Sequence, residues 1–116
     1  MKRGEPDAQR VYLDHIAQAI SRIEAYVSVT KKAFMADTMR QDAVIRQFEI
    51  LGEAANRLDD SLKAARPEIP WRQVVGNRNR LIHGYFQINL EVLWATATKD
   101  LPALAKAVDA LRRRKA

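Results

Sequence analysis

Residues 44–62 read VIRQFEILGEAANRLDDSL, and this segment says more about the architecture than any other part of the chain. Its apolar positions recur mostly at steps of three and four: Val44, Ile45, Phe48, Leu51, Ala55, Leu58 and Leu62. That period is typical of one face of an α-helix, and Asp37 or Thr38 can cap its start. The segment therefore predicts a long amphipathic helix that begins near residue 37 and ends before Pro67.

The same period appears on both sides of this helix. Upstream, it predicts a first helix over about residues 7–32, through Val11, Ile16, Ile20, Ile23 and Val27. Downstream, Pro67 and Pro70 interrupt helical structure, because proline lacks the N–H and restricts the residue before it. Trp71 to Ile82 then reads as a shorter helix, with Gly84 as a plausible terminator.

A last helix is predicted from about Leu90 to Arg113, and Pro102 should kink it or mark a junction between two helical pieces. Long amphipathic helices joined by short connections favour an all-α fold, an antiparallel up-and-down bundle of four to five helices. At 116 residues the chain is expected to form a single domain over 1–116, with a basic tail at 112–116.

Composition limits the possible functions. The chain has no cysteine and only two histidines, far apart, so neither a disulfide framework nor a zinc site is expected, and no cofactor is implied. No apolar stretch approaches the roughly 20 residues that cross a bilayer, so a soluble, cytoplasmic protein without membrane attachment is expected. The net charge of +6 permits a polyanionic partner, although the run 112–115 is expected to be a solvated, frayed tail.

The most unusual stretch is GNRNRLIHGY, residues 76–85. At about 100° per residue, Arg78 falls within an apolar stripe formed by Val74, Leu81 and Tyr85. A guanidinium group in such a position needs a carboxylate, backbone carbonyls or a visiting phosphate, because leaving it unpaired is costly. Glu49 and Glu53 of the second helix are candidate carboxylates.

His83 lies five residues after Arg78, so on a straight helix the two side chains would point about 140° apart. They can approach one another if the helix ends or bends near His83, or if two protomers bring their copies together across a symmetric interface. We favour the second arrangement, a cleft shared by a dimer.

These residue types suit cleavage of RNA without a metal, in which the neighbouring 2′-hydroxyl attacks the phosphate. Histidine can take or give a proton at neutral pH, and arginine can hold the phosphate and stabilise its added charge. Asn79 could orient either group. Spacing alone favours a structural interpretation, with Arg78 as a paired core residue, His83 at a helix C-terminus and Tyr85 packed on Phe86, because an arginine and a histidine five residues apart are common by chance.

Four blocks of the chain, in order, resemble the HepT-like branch of the HEPN superfamily, and together they cover most of the chain. They are DAVIR at 42–46, ILGEAA at 50–55, IPW at 69–71 and RNRLIHGY at 78–85. The resemblance implies a helical homodimer in which the R-x4-H motifs of both protomers, here Arg78 and His83, line a basic cleft. Asn79 matches the polar residue that follows the arginine in such nucleases.

Members of this family act as ribonuclease toxins beside a minimal nucleotidyltransferase antitoxin. The resemblance extends to the longer R-x4-H-x-Y motif, whose tyrosine the antitoxin adenylylates, and this role falls on Tyr85. Added nucleotide phosphates would block RNA by charge and by occupancy. Glu53, which could order Arg78 or the partner interface, and Arg80, within the motif block, are supporting candidates.

Three hypotheses remain. The first is a toxin ribonuclease that cuts RNA. The second is a non-catalytic helical partner and modification substrate of a nucleotidyltransferase, which binds nucleotide or RNA without cleaving it. The third is a purely structural helix-bundle dimer. Outside the motif, His15 is expected at the surface, and Trp71 and Trp94 are expected to anchor the core.

Overall fold

The computed structural model describes residues 6–83 and 87–113, with side chains over 8–76 and 89–113. The described chain is helical apart from turns and one short pair of strands, which confirms the all-α prediction. Its elements are α1 (Pro6–Tyr26), α2 (Lys31–Met35), α3 (Thr38–Asn56), α4 (Asp60–Ala64), α5 (Trp71–Leu81), β1 (Ile82–His83), β2 (Gln87–Ile88), α6 (Leu90–Ala95), a π-helical turn (Thr96–Asp100) and α7 (Leu101–Arg113).

Neighbouring long helices run in opposite directions, which confirms the up-and-down arrangement. Arg40 of α3 donates to the carbonyl of Tyr26 at the end of α1, over 2.8 Å. α7 also lies against α1, and its C-terminal turn reaches the middle of α1, where Arg112 Nε is 2.9 Å from Asp14 Oδ1. Helices α1, α3 and α7 enclose one core, whose largest fully buried side chains are Phe34, Ile16, Ile23, Leu51, Leu58, Leu93, Val44 and Val108.

The first helix ends sooner than the sequence pattern predicts. α1 stops at Tyr26, and α2 begins at Lys31 with the hydroxyl of Thr30 accepting a hydrogen bond from Ala33 N at 3.1 Å. Residues 27–30 read VSVT, and such β-branched and hydroxyl side chains favour a turn with a new cap over a continued helix. The predicted single helix over 7–32 is therefore wrong at its end.

The second helix is also shorter than predicted, because a side chain from α1 interrupts it. Gln9 accepts a hydrogen bond from Asp59 N over 2.7 Å and donates one to the carbonyl of Arg57 over 3.4 Å. These contacts satisfy backbone groups where α3 ends, and the adjacent Leu58 is fully buried. The chain resumes as the short α4, well before Pro67.

The last helical region changes geometry at the expected place. α6 leads into the π-helical turn Thr96–Asp100, and Pro102 is the second residue of α7. The proline ring crowds the carbonyl of Thr98, so a wider turn immediately before it relieves the clash. Pro102 therefore marks a junction, as predicted. α7 continues to Arg113, so Arg112 belongs to an ordered helix and not to a frayed tail.

Candidate functional site

Helix α5 is held at its start by a buried tryptophan. Trp71 is 9% exposed, and its indole N–H donates to the carbonyls of Lys63 and Arg66, over 3.0 and 3.1 Å. The helix then begins with Val74 N donating to the carbonyl of Pro70 at 3.0 Å. The two prolines stop α4, and Trp71 fixes where the next helix starts. The prediction that Trp71 anchors the core is confirmed.

Trp94 also serves the core as predicted. Its half-buried ring packs at a tilt on Phe34, with ring centroids 5.1 Å apart. His15 is exposed on α1, as predicted.

α5 approaches α3 closely at Gly52, where a larger residue would have to displace the neighbouring backbone slightly. A Cβ atom at Gly52 would lie 3.2 Å from the carbonyl oxygen of Val75 and 3.6 Å from that of Val74. Because Trp71 lies beside the chain that follows α3 and Val75 lies beside Gly52, α5 runs antiparallel to α3. The sequence carried a signal for this contact, since an isolated glycine inside a helical pattern often has a packing reason.

The motif begins three residues after Val75, the residue of α5 that lies beside Gly52. Arg78, Asn79 and Arg80 lie in the last turn of α5, and the helix ends at Leu81. His83 is the second residue of β1 and therefore lies beyond the helix. The expectation that the helix ends near His83 is confirmed, so the 140° separation of a straight helix does not apply to it.

A short antiparallel pairing returns the chain from the motif. Ile82 is paired with Ile88, and His83 with Gln87. After β2 the chain leads into α6, whose first turn is capped by Asn89 accepting from Val92 N at 3.1 Å. Tyr85 and the side chains of the motif lie outside the described residues, so their roles stay predictions.

Glu53 lies on the exposed face of α3, where its carboxylate accepts a hydrogen bond from Arg57 over 3.1 Å. This bond and the charge of Glu53, together with the hydroxyl of Tyr12, raise the pKa of Arg57 above its ordinary value. The predicted pairing of Glu53 with Arg78 involves a side chain outside the description, and it also stays a prediction.

An open groove of about 570 Å³ runs between α1 and α3 on this face. It is lined by polar and charged side chains with a few apolar ones between them: Tyr12, His15, Arg46, Glu49, Ile50, Glu53, Ala54 and Arg57. Sequence reasoning found Glu49, Glu53 and His15 separately but did not bring them together, because the groove exists only once α1 packs on α3. Within the part of the chain that the structure describes, no group of three or more potential ligands is placed to hold a metal.

None of the described helices combines the length and the apolar character that a bilayer span requires.

Comparisons with known proteins agree with the motif and the fold. A family model described as ribonuclease HepT-like matches residues 16–111, which include α3, α5 and the motif. A relative from Thermococcus cleftensis, named "Probable ribonuclease HepT", is 40% identical over 114 residues, which are 97% of this chain and all of that protein. No solved structure matches the chain at a significant level.

Two further relatives carry provisional RNase names. One, from Caldanaerobacter subterraneus, is 35% identical over 85% of this chain and 89% of its own length. The other, from Methanocaldococcus jannaschii, is 34% identical over 89% of this chain and 94% of its own length. With a family model that spans most of the chain and relatives that align along nearly their whole length, this chain belongs to the ribonuclease HepT-like family of the HEPN superfamily.

Proposed function

We propose that this protein is a metal-independent RNA endonuclease, active as a homodimer, with Arg78 and His83 at the centre of its chemistry. The observation that carries the proposal is the family match over residues 16–111, which contains the complete R-x4-H-x-Y motif. The name of the relative from Thermococcus cleftensis supports the same activity.

In the proposed reaction the 2′-hydroxyl of one nucleotide attacks the adjacent phosphorus. The bond to the 5′-oxygen breaks, and the products end in a 2′,3′-cyclic phosphate and a 5′-hydroxyl. His83 takes the proton from the attacking hydroxyl or gives one to the leaving oxygen. Arg78 binds the phosphate and stabilises the charge that builds on its oxygens, with Asn79 as an orienting group. Arg80 and Glu53 support this arrangement.

We also propose that the protein is the toxin of a toxin–antitoxin pair. Its partner is a minimal nucleotidyltransferase that adenylylates Tyr85. Each added nucleotide brings negative charge two residues from His83, and this charge repels an RNA phosphate from the same place. Adenylylation of Tyr85 would therefore inhibit the enzyme by opposing the same electrostatic attraction that binds the RNA phosphate.

The test is cleavage of a mixed RNA pool in EDTA by the wild-type protein and by His83→Ala, with the product ends analysed. Wild type should give 2′,3′-cyclic ends, and His83→Ala should lose activity by about 10²–10⁴-fold, the usual contribution of a general acid or base. His15→Ala is the matched control, because His15 is the other histidine of the chain and lies exposed on α1. It should cut as wild type does.

Equal cleavage by wild type and His83→Ala would reveal a contaminating nuclease and overturn the proposal. If neither cuts, mass spectrometry of the peptide that contains Tyr85 decides the next step. A folded, unmodified and inactive protein would favour the non-catalytic binding partner instead.

A further inference from the structure

The solvent face of α3 carries four charged side chains in a regular pattern. Asp42, Arg46, Glu53 and Arg57 are all exposed, and at about 100° per residue they fall within about 60° of one another around the helix. Along the chain their charges alternate as negative, positive, negative and positive. The spacings between them are four, seven and four residues, so the pattern is symmetric about a point between Glu49 and Ile50.

This symmetry makes the face complementary to a second copy of itself. If two α3 helices meet antiparallel around a two-fold axis at that midpoint, Asp42 lies opposite the partner's Arg57, and Arg46 opposite the partner's Glu53. A parallel arrangement would instead place each charge opposite its own copy, which is repulsive. A two-fold interface requires one patch to fit itself, and this patch does so in the antiparallel register alone.

Two of the four charged side chains already form an ion pair within one chain. Glu53 and Arg57 are joined over 3.1 Å along one face of α3. In the antiparallel pair, each of these side chains gains a second, oppositely charged neighbour from the other copy, Arg46 for Glu53 and Asp42 for Arg57. The result on each side of the axis is a row of four alternating charges, and no bond within the monomer has to break.

The middle of the face holds the apolar Ile50 and, beside it, the half-buried Glu49, one on each side of the midpoint. Ile50 is half-buried against the core, and the half-buried ring of Tyr12 lines the same groove from α1. The groove of about 570 Å³ is open enough to receive side chains from a second helix. Ile50 and Tyr12 therefore supply apolar contact inside the outer charges, and a protein–protein interface usually places its apolar contacts inside a polar rim.

We propose that two copies of this chain associate through the antiparallel α3 face formed by Asp42, Arg46, Ile50, Glu53 and Arg57. This inference rests on the homodimer of the proposed function and names its interface.

The proposed interface also lies close to the level of the motif along α3. α5 runs antiparallel to α3, with Val75 beside Gly52, so the next turn of α5 lies about 5 Å closer to the N-terminal half of α3. That turn carries Arg78, at the level of the proposed axis.

Charge reversal in two separate chains tests the pairing. Arg46→Glu alone places two carboxylates opposite each other at both symmetric positions of the interface, and Glu53→Arg alone places two guanidinium groups opposite each other there. Each variant should self-associate at least about tenfold more weakly than wild type, because like charges across an interface are repulsive. An equimolar mixture of the two variants should recover the dimer, because in the mixed dimer the glutamates at positions 46 and 53 of one chain face the arginines at positions 53 and 46 of the other. The double variant Arg46→Glu/Glu53→Arg is a second arm of the test: every opposed pair is again of opposite sign, so it should dimerise as wild type does. Analytical ultracentrifugation measures all of these proteins.

Lys32→Glu is the control, because it reverses an exposed charge on α2, outside this face, and should leave the dimer unchanged.

If circular dichroism shows that Glu53→Arg fails to fold, Asp42→Arg and Arg57→Glu form an equivalent second pair. Recovery by mixing supports the interface. Dimers that persist in every variant overturn it and leave the homodimer intact, whereas a monomeric wild type overturns both, and RNA cleavage is scored separately.

RNA is the other possible occupant of this face. In that case Arg46→Glu would weaken RNA binding and Glu53→Arg would strengthen it, with the mass of the assembly unchanged. That outcome would also overturn the interface.

Discussion

Helix α3 packs on α1 and on α5 in different ways. Against α1 it shares a core of large branched and aromatic side chains, in which Ile16 and Ile23 of α1 are fully buried. Against α5 it meets the backbone itself, because Gly52 leaves room for the carbonyl of Val75. The first contact buries apolar area, and the second fixes a distance between two helix axes.

The α1–α3 contact therefore mainly stabilises the fold, whereas the α3–α5 contact mainly positions the motif. Apolar burial between α1 and α3 contributes free energy roughly in proportion to area, and it tolerates small shifts. The contact at Gly52 buries no side chain of its own. It does, however, fix the position relative to α3 of the helical turn that carries Arg78 and of the strand that follows it with His83. In the proposed enzyme a displacement of that turn affects the reaction more than it affects folding.

The largest effect on stability is expected in the contact between α1 and α3. Ile23→Ala removes a side chain that is fully buried, so the free energy of unfolding should fall by about 2–5 kcal/mol, which includes the cost of the cavity. Urea denaturation followed by circular dichroism measures the loss. Gln18→Ala, on the exposed side of the same helix, should stay within about 0.5 kcal/mol of wild type. A loss below about 1 kcal/mol for Ile23→Ala would contradict the assignment of stability to this core.

The contact at Gly52 should respond in the opposite way. Alanine at this position gains about 1 kcal/mol of helix propensity but pushes α5 by a few tenths of an ångström, so the net stability should change little while RNA cleavage falls about tenfold. Gly76→Ala is the matched control. A Cβ there meets nothing within 4 Å, so the variant should gain about 0.5–1 kcal/mol and retain cleavage. If both alanine variants behave alike, the close approach does not place the motif.

The smallest effect is expected where α1 meets α7. Arg112 and Asp14 are 2.9 Å apart, but both side chains remain more than a third exposed, and water and salt screen their attraction. A double-mutant cycle with Arg112→Ala and Asp14→Ala should give a coupling of less than about 1 kcal/mol that shrinks further in about 1 M salt. A coupling well above this value would mean that α7 is held by charge as well as by its apolar face.

Much of the fold was predictable because local patterns carry it. The apolar period located α1, α3, α5 and the region of α6 and α7, and the two prolines located the break before Trp71. The end of α5 near His83 was predictable too, since Gly84 is a plausible terminator. These features depend on residues that are close together in the sequence, where backbone preferences act directly.

The end of α3 depended on tertiary structure. Gln9 and Asp59 are 50 residues apart along the chain, so no local pattern could show that one caps the other. The groove between α1 and α3 has the same origin, because His15 lines the same groove as Arg46 and Glu53 only after the two helices pack.

The sequence by itself determined the helical periods, the break at Pro67 and Pro70, and the R-x4-H-x-Y motif that identifies the family. Tertiary structure alone decided how closely α5 approaches Gly52 and which charges of α3 remain on the surface. The physical reason is one of range. Propensity, capping and periodicity act within a few residues, whereas close approach and surface charge are set by contacts that form only when distant segments fold together.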